Sequence, residues 1–319
     1  MGIIPAVIPV IGKEAVLAAV SPAAAIERTR SAFTRHARGE WQMPAKVYLD
    51  SPPHGDFRAM PARGDGLALV KWVTSFPHNP KRGLPVVTGL VVLSDAETGA
   101  ELAIIDCRAV TWLRTGAAAA VATRALAPEG ASEVGLIGCG VNGSWAARCL
   151  AAAGYGPGLC HDARAQVAEA LASELGWRTG TREEAASRDV VVTCTPGDEP
   201  VVFTSDLRPG QHLSALGADA HGKAEIERKA LRRCRLFCDE WDQASAGGEL
   251  SHAAERGALT RWNVTELGSV LIGAAAGRRS DAEITVFDST GLAVQDLAIV
   301  AAVYEAWRAG RVSAPTVEL

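Results

Sequence analysis

The stretch Val134-Gly135-Leu136-Ile137-Gly138-Cys139-Gly140-Val141-Asn142-Gly143 decides the fold. Its apolar residues run into a Gly-x-Gly-x-x-Gly turn, and Ser144-Trp145-Ala146-Ala147-Arg148-Cys149-Leu150 follows with helical texture. Strand, glycine turn and helix together form the context in which backbone N–H groups at a helix N-terminus approach a pyrophosphate. Gly138, Gly140, Val141, Asn142 and Gly143 are therefore candidate dinucleotide contacts. More than 130 residues precede the turn, which predicts a separate domain ahead of it.

Downstream, short apolar segments at 133–137, 157–161, 189–195, 212–217, 236–239 and 284–288 alternate with helical patterns, the first at 142–153 and 163–175. That alternation predicts an α/β fold, a Rossmann-type doubly wound parallel sheet covered on both faces. Upstream, a helical pattern over 14–39 has Pro22 placed for a first turn and Gly39 as a stop. The texture then turns β-rich at 46–49, 57–60, 67–73, 86–93 and 100–105, with turn formers such as Ser51-Pro52-Pro53 between the pieces. An alanine-rich helix over 108–127 closes at Pro128-Glu129-Gly130, the expected domain boundary. The upstream part thus reads as an α+β domain.

With 319 residues and 48% hydrophobic content, the chain can bury one large core or two. A net charge of −4 with no block of like charges gives a nucleic-acid role no electrostatic footprint. The apolar stretch 3–11 is interrupted by Pro5 and Pro9 and is too short to span a bilayer. With no basic lead-in, it reads as a strand of a cytoplasmic protein rather than a signal peptide or membrane segment. Seven cysteines show no Cys-x-x-Cys, and histidines do not cluster, so neither a metal site nor a disulfide framework is expected.

Asp162 ends the strand after the glycine turn, 19 residues beyond Gly143. An acid there accepts hydrogen bonds from a ribose diol and repels a 2′-phosphate, which favours NAD. Arg164 can instead pair with that phosphate, which leaves NADP possible, and Asp162 can also cap the helix at Ala163. Thr195 and Pro196 close the 190–194 segment on the sheet's carboxyl edge, where cofactors sit; the plainer alternative is a simple turn.

Further motifs are spread along the chain: Met43-Pro44-Ala45-Lys46, Gly55-Asp56-Phe57-Arg58-Ala59-Met60-Pro61-Ala62, Lys71-Trp72-Val73, Gly83-Leu84-Pro85, Leu113-Arg114-Thr115-Gly116-Ala117, Gly217-Ala218-Asp219-Ala220-His221-Gly222-Lys223, Val286-Phe287-Asp288-Ser289-Thr290-Gly291-Leu292-Ala293 and Asp296-Leu297. With these, nearly the whole chain resembles the ornithine cyclodeaminase/μ-crystallin family, and its wording is nearest the archaeal alanine dehydrogenase branch. The resemblance implies an NAD(P)-dependent amino- or imino-acid oxidoreductase that forms a homodimer through its first domain. It also implies that the last helix, 292–309, returns to that domain. The expected division is residues 1–127 plus 292–319 for substrate binding and dimerisation, and 128–291 for the dinucleotide. By the same resemblance Lys46, Arg58, Lys71 and Arg114 line the substrate pocket, and Asp219 serves proton transfer. Thr115, Ser289 and Gly291 join the cofactor contacts.

Ornithine cyclodeaminases carry an acid two residues before the Met-Pro pair, suited to a distal amine, whereas this chain has Arg58. A guanidinium suits a carboxylate or a neutral substrate. Oxidising an α-amino acid requires a clamped carboxylate, which Arg114 with Lys46 or Arg58 can supply. Lys71 among other cations should have a lowered pKa, and Asp219 can stabilise an iminium. Taken singly, Lys46, Arg58 and Lys71 read as solvated surface cations, and Asp219 as a cap for a helix near Lys223. Arg114 sits in a packed helix, where an unpaired charge is costly. His221 has no stronger case than any loop histidine. Cyclodeaminase chemistry with an internally recycled cofactor, and non-catalytic binding, stand as the alternatives to the dehydrogenase or imine reductase.

Overall fold

The computed structural model describes residues 7–197, 199–220 and 222–318, so His221 and residues 1–6 lie outside it. The chain forms two compact units, Met1–Arg114 with Leu292–Leu319, and Thr115–Gly291.

The first unit is built on a seven-stranded sheet. β1 (Ile8–Ile11) pairs parallel with β6 (Glu101–Asp106), and β2 (Val47–Ser51), β3 (Gly55–Gly64), β4 (Leu67–Ser75) and β5 (Val87–Asp95) complete an antiparallel meander. Thr316–Val317 adds to the other side of β1. The helical pattern of 14–39 is two helices, Lys13–Ala19 and Pro22–Ala37; Ser21 caps the second through the Ala24 N–H, and Pro22 takes its first position. The last helix, Ala293–Arg308, packs against Pro22–Ala37 and against β3 and β4.

Register separates the two faces of the meander. Met60 lies opposite Lys71 and Arg58 opposite Val73, so Arg58, Met60, Lys71 and Val73 share the buried face. On the other face Val47, Leu49, Trp72 and Leu90 stay exposed, and Phe57 stacks on Trp72.

The second unit carries an eight-stranded, all-parallel sheet. In spatial order it runs from β13 (Val264–Glu266) through β12 (Arg235–Cys238), β14 (Thr285–Asp288), β11 (His212–Ala215), β10 (Val190–Thr193), β7 (Val134–Ile137) and β8 (Gly158–His161) to β9 (Arg178–Thr179). The central strands are buried on both faces, as a sheet covered by crossover helices requires. Strand order reverses at β7, which places the glycine turn at the switch point of the sheet.

The division falls inside the long helix Cys107–Leu126 and not at Pro128-Glu129-Gly130. The reason is packing. Gly116 lets this helix approach the helix Val141–Ala152 so closely that a Cβ would lie 2.4 Å from the Trp145 carbonyl oxygen. At its end, Arg278 Nε and Thr285 Oγ1 both donate to the Leu126 carbonyl, at 2.7 and 3.1 Å. Residues 115–126 are thereby claimed by the parallel-sheet unit.

Candidate active site

The first unit buries a group of charges on the inner sheet face. Lys71 is 1% exposed, and its Nζ lies 2.8 Å from the carboxylate of Asp296, which is wholly buried near the start of the last helix. Lys71 also donates to Thr111 Oγ1 at 3.2 Å. Arg114, one turn beyond Thr111, brings its Nε to 3.4 Å from Asp296, and that nitrogen makes no hydrogen bond among the described residues. Burial pulls the Lys71 ammonium below its ordinary range; Asp296 opposes the shift, and Arg114 adds to it. Two buried cations therefore share one acid.

Arg58 lies two residues from the Lys71 pair in the register and is buried on the same face. Its guanidinium is held by Asp56, with Nε 2.5 Å from Oδ1, and stacks over the Tyr48 ring at 5.3 Å. Lys46 is half-buried just before β2.

The second unit assembles the glycine turn at the carboxyl ends of its strands. Gly138 has φ +95°, and a Cβ there would meet the Cys194 carbonyl oxygen at 2.5 Å. A Cβ on Gly143 would lie 1.9 Å from the Gly138 oxygen, so the helix can start this close to the strand only with glycine. Gly140, by contrast, borders open space, with nothing within 4 Å of its Cβ position. Val141, Asn142 and Gly143 form the first turn of a 12-residue helix whose N-cap has no side-chain hydrogen bond.

Asp162 accepts from Cys139 N at 2.8 Å and from Arg164 N at 2.9 Å, so it braces the glycine turn and the start of the next helix together. Thr195 gives both its N–H and its hydroxyl to Glu225, and Pro196 follows it at the end of β10. Asp219 lies beyond β11 and pairs with Lys223 at 2.7 Å; no helix begins at Lys223, since the next one is Arg228–Leu231. In the Ser289–Gly291 turn, Asp239 accepts from Thr290 Oγ1 at 3.0 Å and Gly291 N at 2.7 Å.

These residues fit a dinucleotide on grounds internal to the structure. The buried hydroxyls of Thr115 and Ser289 make no hydrogen bond among the described residues, and the Gly140 position is open. Polar atoms of this kind need a partner, which a polar ligand supplies. Among the described residues no group of three His, Cys, Asp or Glu side chains is arranged to hold a metal ion, and all seven cysteines are free thiols. Nor is any described helix long and apolar enough to cross a membrane.

Sequence reasoning gave no role to Asp296, Thr111, Asp56 or Glu225. Asp296 had a visible signal, a lone acid in the apolar run 292–303. Thr111 had none, because its partner Lys71 comes from another element, whereas Asp56 stands two residues before Arg58 on the same strand.

The profile of the ornithine cyclodeaminase/mu-crystallin family matches residues 10–311. The chain is 40% identical to an alanine dehydrogenase of Archaeoglobus fulgidus over 93% of this chain and 94% of that protein. It is 32% identical to an iminosuccinate reductase of Paracoccus denitrificans, covering 93% and 95% of the two chains. A solved archaeal alanine dehydrogenase dimer with bound NAD superposes with a TM-score of 0.94 at 38% identity, over 98% of this chain and 99% of that one.

Proposed function

Since the chain belongs to the ornithine cyclodeaminase/mu-crystallin family, we propose that it is an NAD-dependent oxidoreductase of small L-amino acids or their imines, acting as an alanine dehydrogenase or a ketimine reductase does. The observation that carries this reading is the buried Lys71–Asp296–Arg114 group, in which Arg114 Nε makes no hydrogen bond among the described residues. A carboxylate-bearing substrate satisfies that donor and neutralises the excess cation.

In this mechanism Arg114, with Arg58 and Lys46, holds the substrate carboxylate and so fixes Cα. Lys71, its pKa lowered by burial, takes a proton from the substrate ammonium, which must be a free amine before Cα can be oxidised. Asp219, steered by Lys223, stabilises the iminium and activates the water that attacks it. Gly138, Gly140, Val141, Asn142 and Gly143 would hold the pyrophosphate, and Asp162 would take the ribose hydroxyls. Thr115, Thr195, Pro196, Ser289 and Gly291 complete the cofactor contacts. NAD supplies the two-electron acceptor when bound.

The same reading assigns substrate binding and dimerisation to the first unit and the dinucleotide to the second. A cytoplasmic homodimer belongs to it as well. The exposed Val47, Leu49, Trp72 and Leu90 make an apolar face of the kind a partner copy covers, and one solved relative is a dimer.

The test mixes the protein with NAD⁺ and L-alanine or other small L-amino acids, and follows reduced cofactor and ammonia. Net reduced cofactor with ammonia is the expected result. Ammonia and proline from ornithine without net reduction would make the protein a cyclodeaminase, and NAD binding with no turnover would make it a binding protein.

A further inference from the structure

The mechanism above leaves Glu225 without a role, although it is completely buried in the parallel-sheet unit. Each of its carboxylate oxygens is used twice. Oε1 accepts from Thr195 N at 2.6 Å and Thr195 Oγ1 at 2.8 Å. Oε2 accepts from Thr193 Oγ1 at 2.8 Å and Gly217 N at 2.7 Å. The donors belong to β10 with its following turn, and to the turn after β11 that leads to Asp219. The fit around Gly217 is close, since a Cβ there would come within 2.7 Å of the Glu225 carboxyl.

Glu225 is itself pinned. Glu249 accepts from Glu225 N at 2.8 Å and Ile226 N at 2.9 Å, while Val201 N and Val202 N both donate to the Glu225 carbonyl. Burying a carboxylate is expensive unless its lone pairs are met, and here four donors meet them. Burial raises the Glu225 pKa, and the four donors pull against that shift. An apolar side chain could fill the same volume without desolvating a charge, but it could not join two turns.

We propose that Glu225 is a positioning residue for the cofactor. Its carboxylate fixes the Thr195-Pro196 turn against the Gly217–Asp219 turn, so the turn assigned above to the cofactor is held in one place. The proposal rests on the NAD-dependent reading above.

Glu225→Gln tests it in the full-length protein. Each oxygen of Glu225 faces one backbone N–H and one hydroxyl. A hydroxyl can turn and accept, but an N–H cannot. Whichever way the amide lies, either Thr195 N or Gly217 N then loses its acceptor.

The expected result is a cooperative melt, an NADH dissociation constant raised about tenfold by fluorescence titration, and a substrate KM little changed at saturating cofactor. A merely structural role lowers the melting temperature and the active fraction but leaves the dissociation constant alone. An unchanged constant in folded E225Q therefore overturns the proposal. If E225Q does not fold, Thr193→Val decides, because it removes one of the four donors without changing side-chain shape. An NADH constant raised about threefold supports the proposal, and an unchanged one overturns it. A wild-type protein that binds no NADH defeats the oxidoreductase reading first, and that failure is visible before any variant is made.

Discussion

Replacing Asp296 by asparagine removes the acid set against Lys71 and Arg114. At the 2.8 Å separation from Lys71, and with an effective dielectric of about 20, the attraction lost is roughly 6 kcal/mol. Lysine can escape by releasing its proton. From its ordinary value of 10.5, that release costs about 5 kcal/mol at pH 7, at 1.36 kcal/mol per pH unit. The expected loss of stability at pH 7 is thus about 3–5 kcal/mol, in line with breaking a buried ion pair. The sign of the pH dependence follows. In D296N the folded chain carries neutral Lys71 while the unfolded chain carries the ammonium. The unfolded state then binds more protons, and stability rises with pH by up to about 1.4 kcal/mol per unit. Wild type gains less, because Asp296 offsets part of the burial cost of the ammonium. Urea unfolding at pH 7, 8 and 9, followed by circular dichroism, should show the gap between D296N and wild type closing. A gap below about 1 kcal/mol at pH 7, or one that stays constant across the three pH values, refutes the reasoning.

Lys71→Ala should lower turnover by about a thousandfold, within the range for a lost general base, while the NADH dissociation constant holds; equal loss of both would mark the lysine as structural. Gly143→Ala places a Cβ 1.9 Å from the Gly138 oxygen, so NADH affinity should fall about tenfold or more, and intact affinity would remove the turn from the cofactor site. Burial pushes Glu249 up to about 8, so the folded chain keeps a proton that the unfolded chain gives up near 4.5, and this group's contribution falls as pH rises through that window. Melting temperatures between pH 5 and 8 should accordingly decline less in Glu249→Gln than in wild type, and an equal decline would assign the slope elsewhere. Trp72→Asp, on the exposed sheet face, should convert a dimer to monomer in sedimentation velocity; a dimer that persists places the interface on another surface.

The parallel sheet was legible because its signals are local. Gly138 and Gly143 each answer to one short contact or one positive φ, and the apolar runs of β7, β8, β10, β11 and β14 need no partner to be recognised. The two-residue β9 and three-residue β13 were missed, because pieces so short carry no periodicity. The turn formers 128–130, where composition changes, predict a boundary that the structure puts instead between Arg114 and Thr115, where packing changes. Gly116 was readable as a helix glycine but not as the point where two helices meet. Site residues divide the same way. Lys71, Arg114 and Asp296 all stand in quotable motifs, but Asp296 lies 225 residues from Lys71, and only folding shows that they pair.

That long-range contact bears on how the substrate charge is handled. Lys71, Arg114 and Asp296 sum to one positive charge if Lys71 is protonated and to none if it is neutral. A substrate carboxylate entering beside Arg114 adds one negative charge to a poorly solvated group and so favours the ammonium form of Lys71. A substrate arriving as carboxylate and ammonium brings the proton that this ammonium form requires. Transfer from the substrate amine to Lys71 then leaves Lys71 and Arg114 as cations against Asp296 and the carboxylate, a balanced set. The acid on the last helix therefore does more than hold a lysine in place. By carrying one of the two negative charges, it offsets the burial cost of the ammonium that Lys71 becomes once it has taken the substrate's proton.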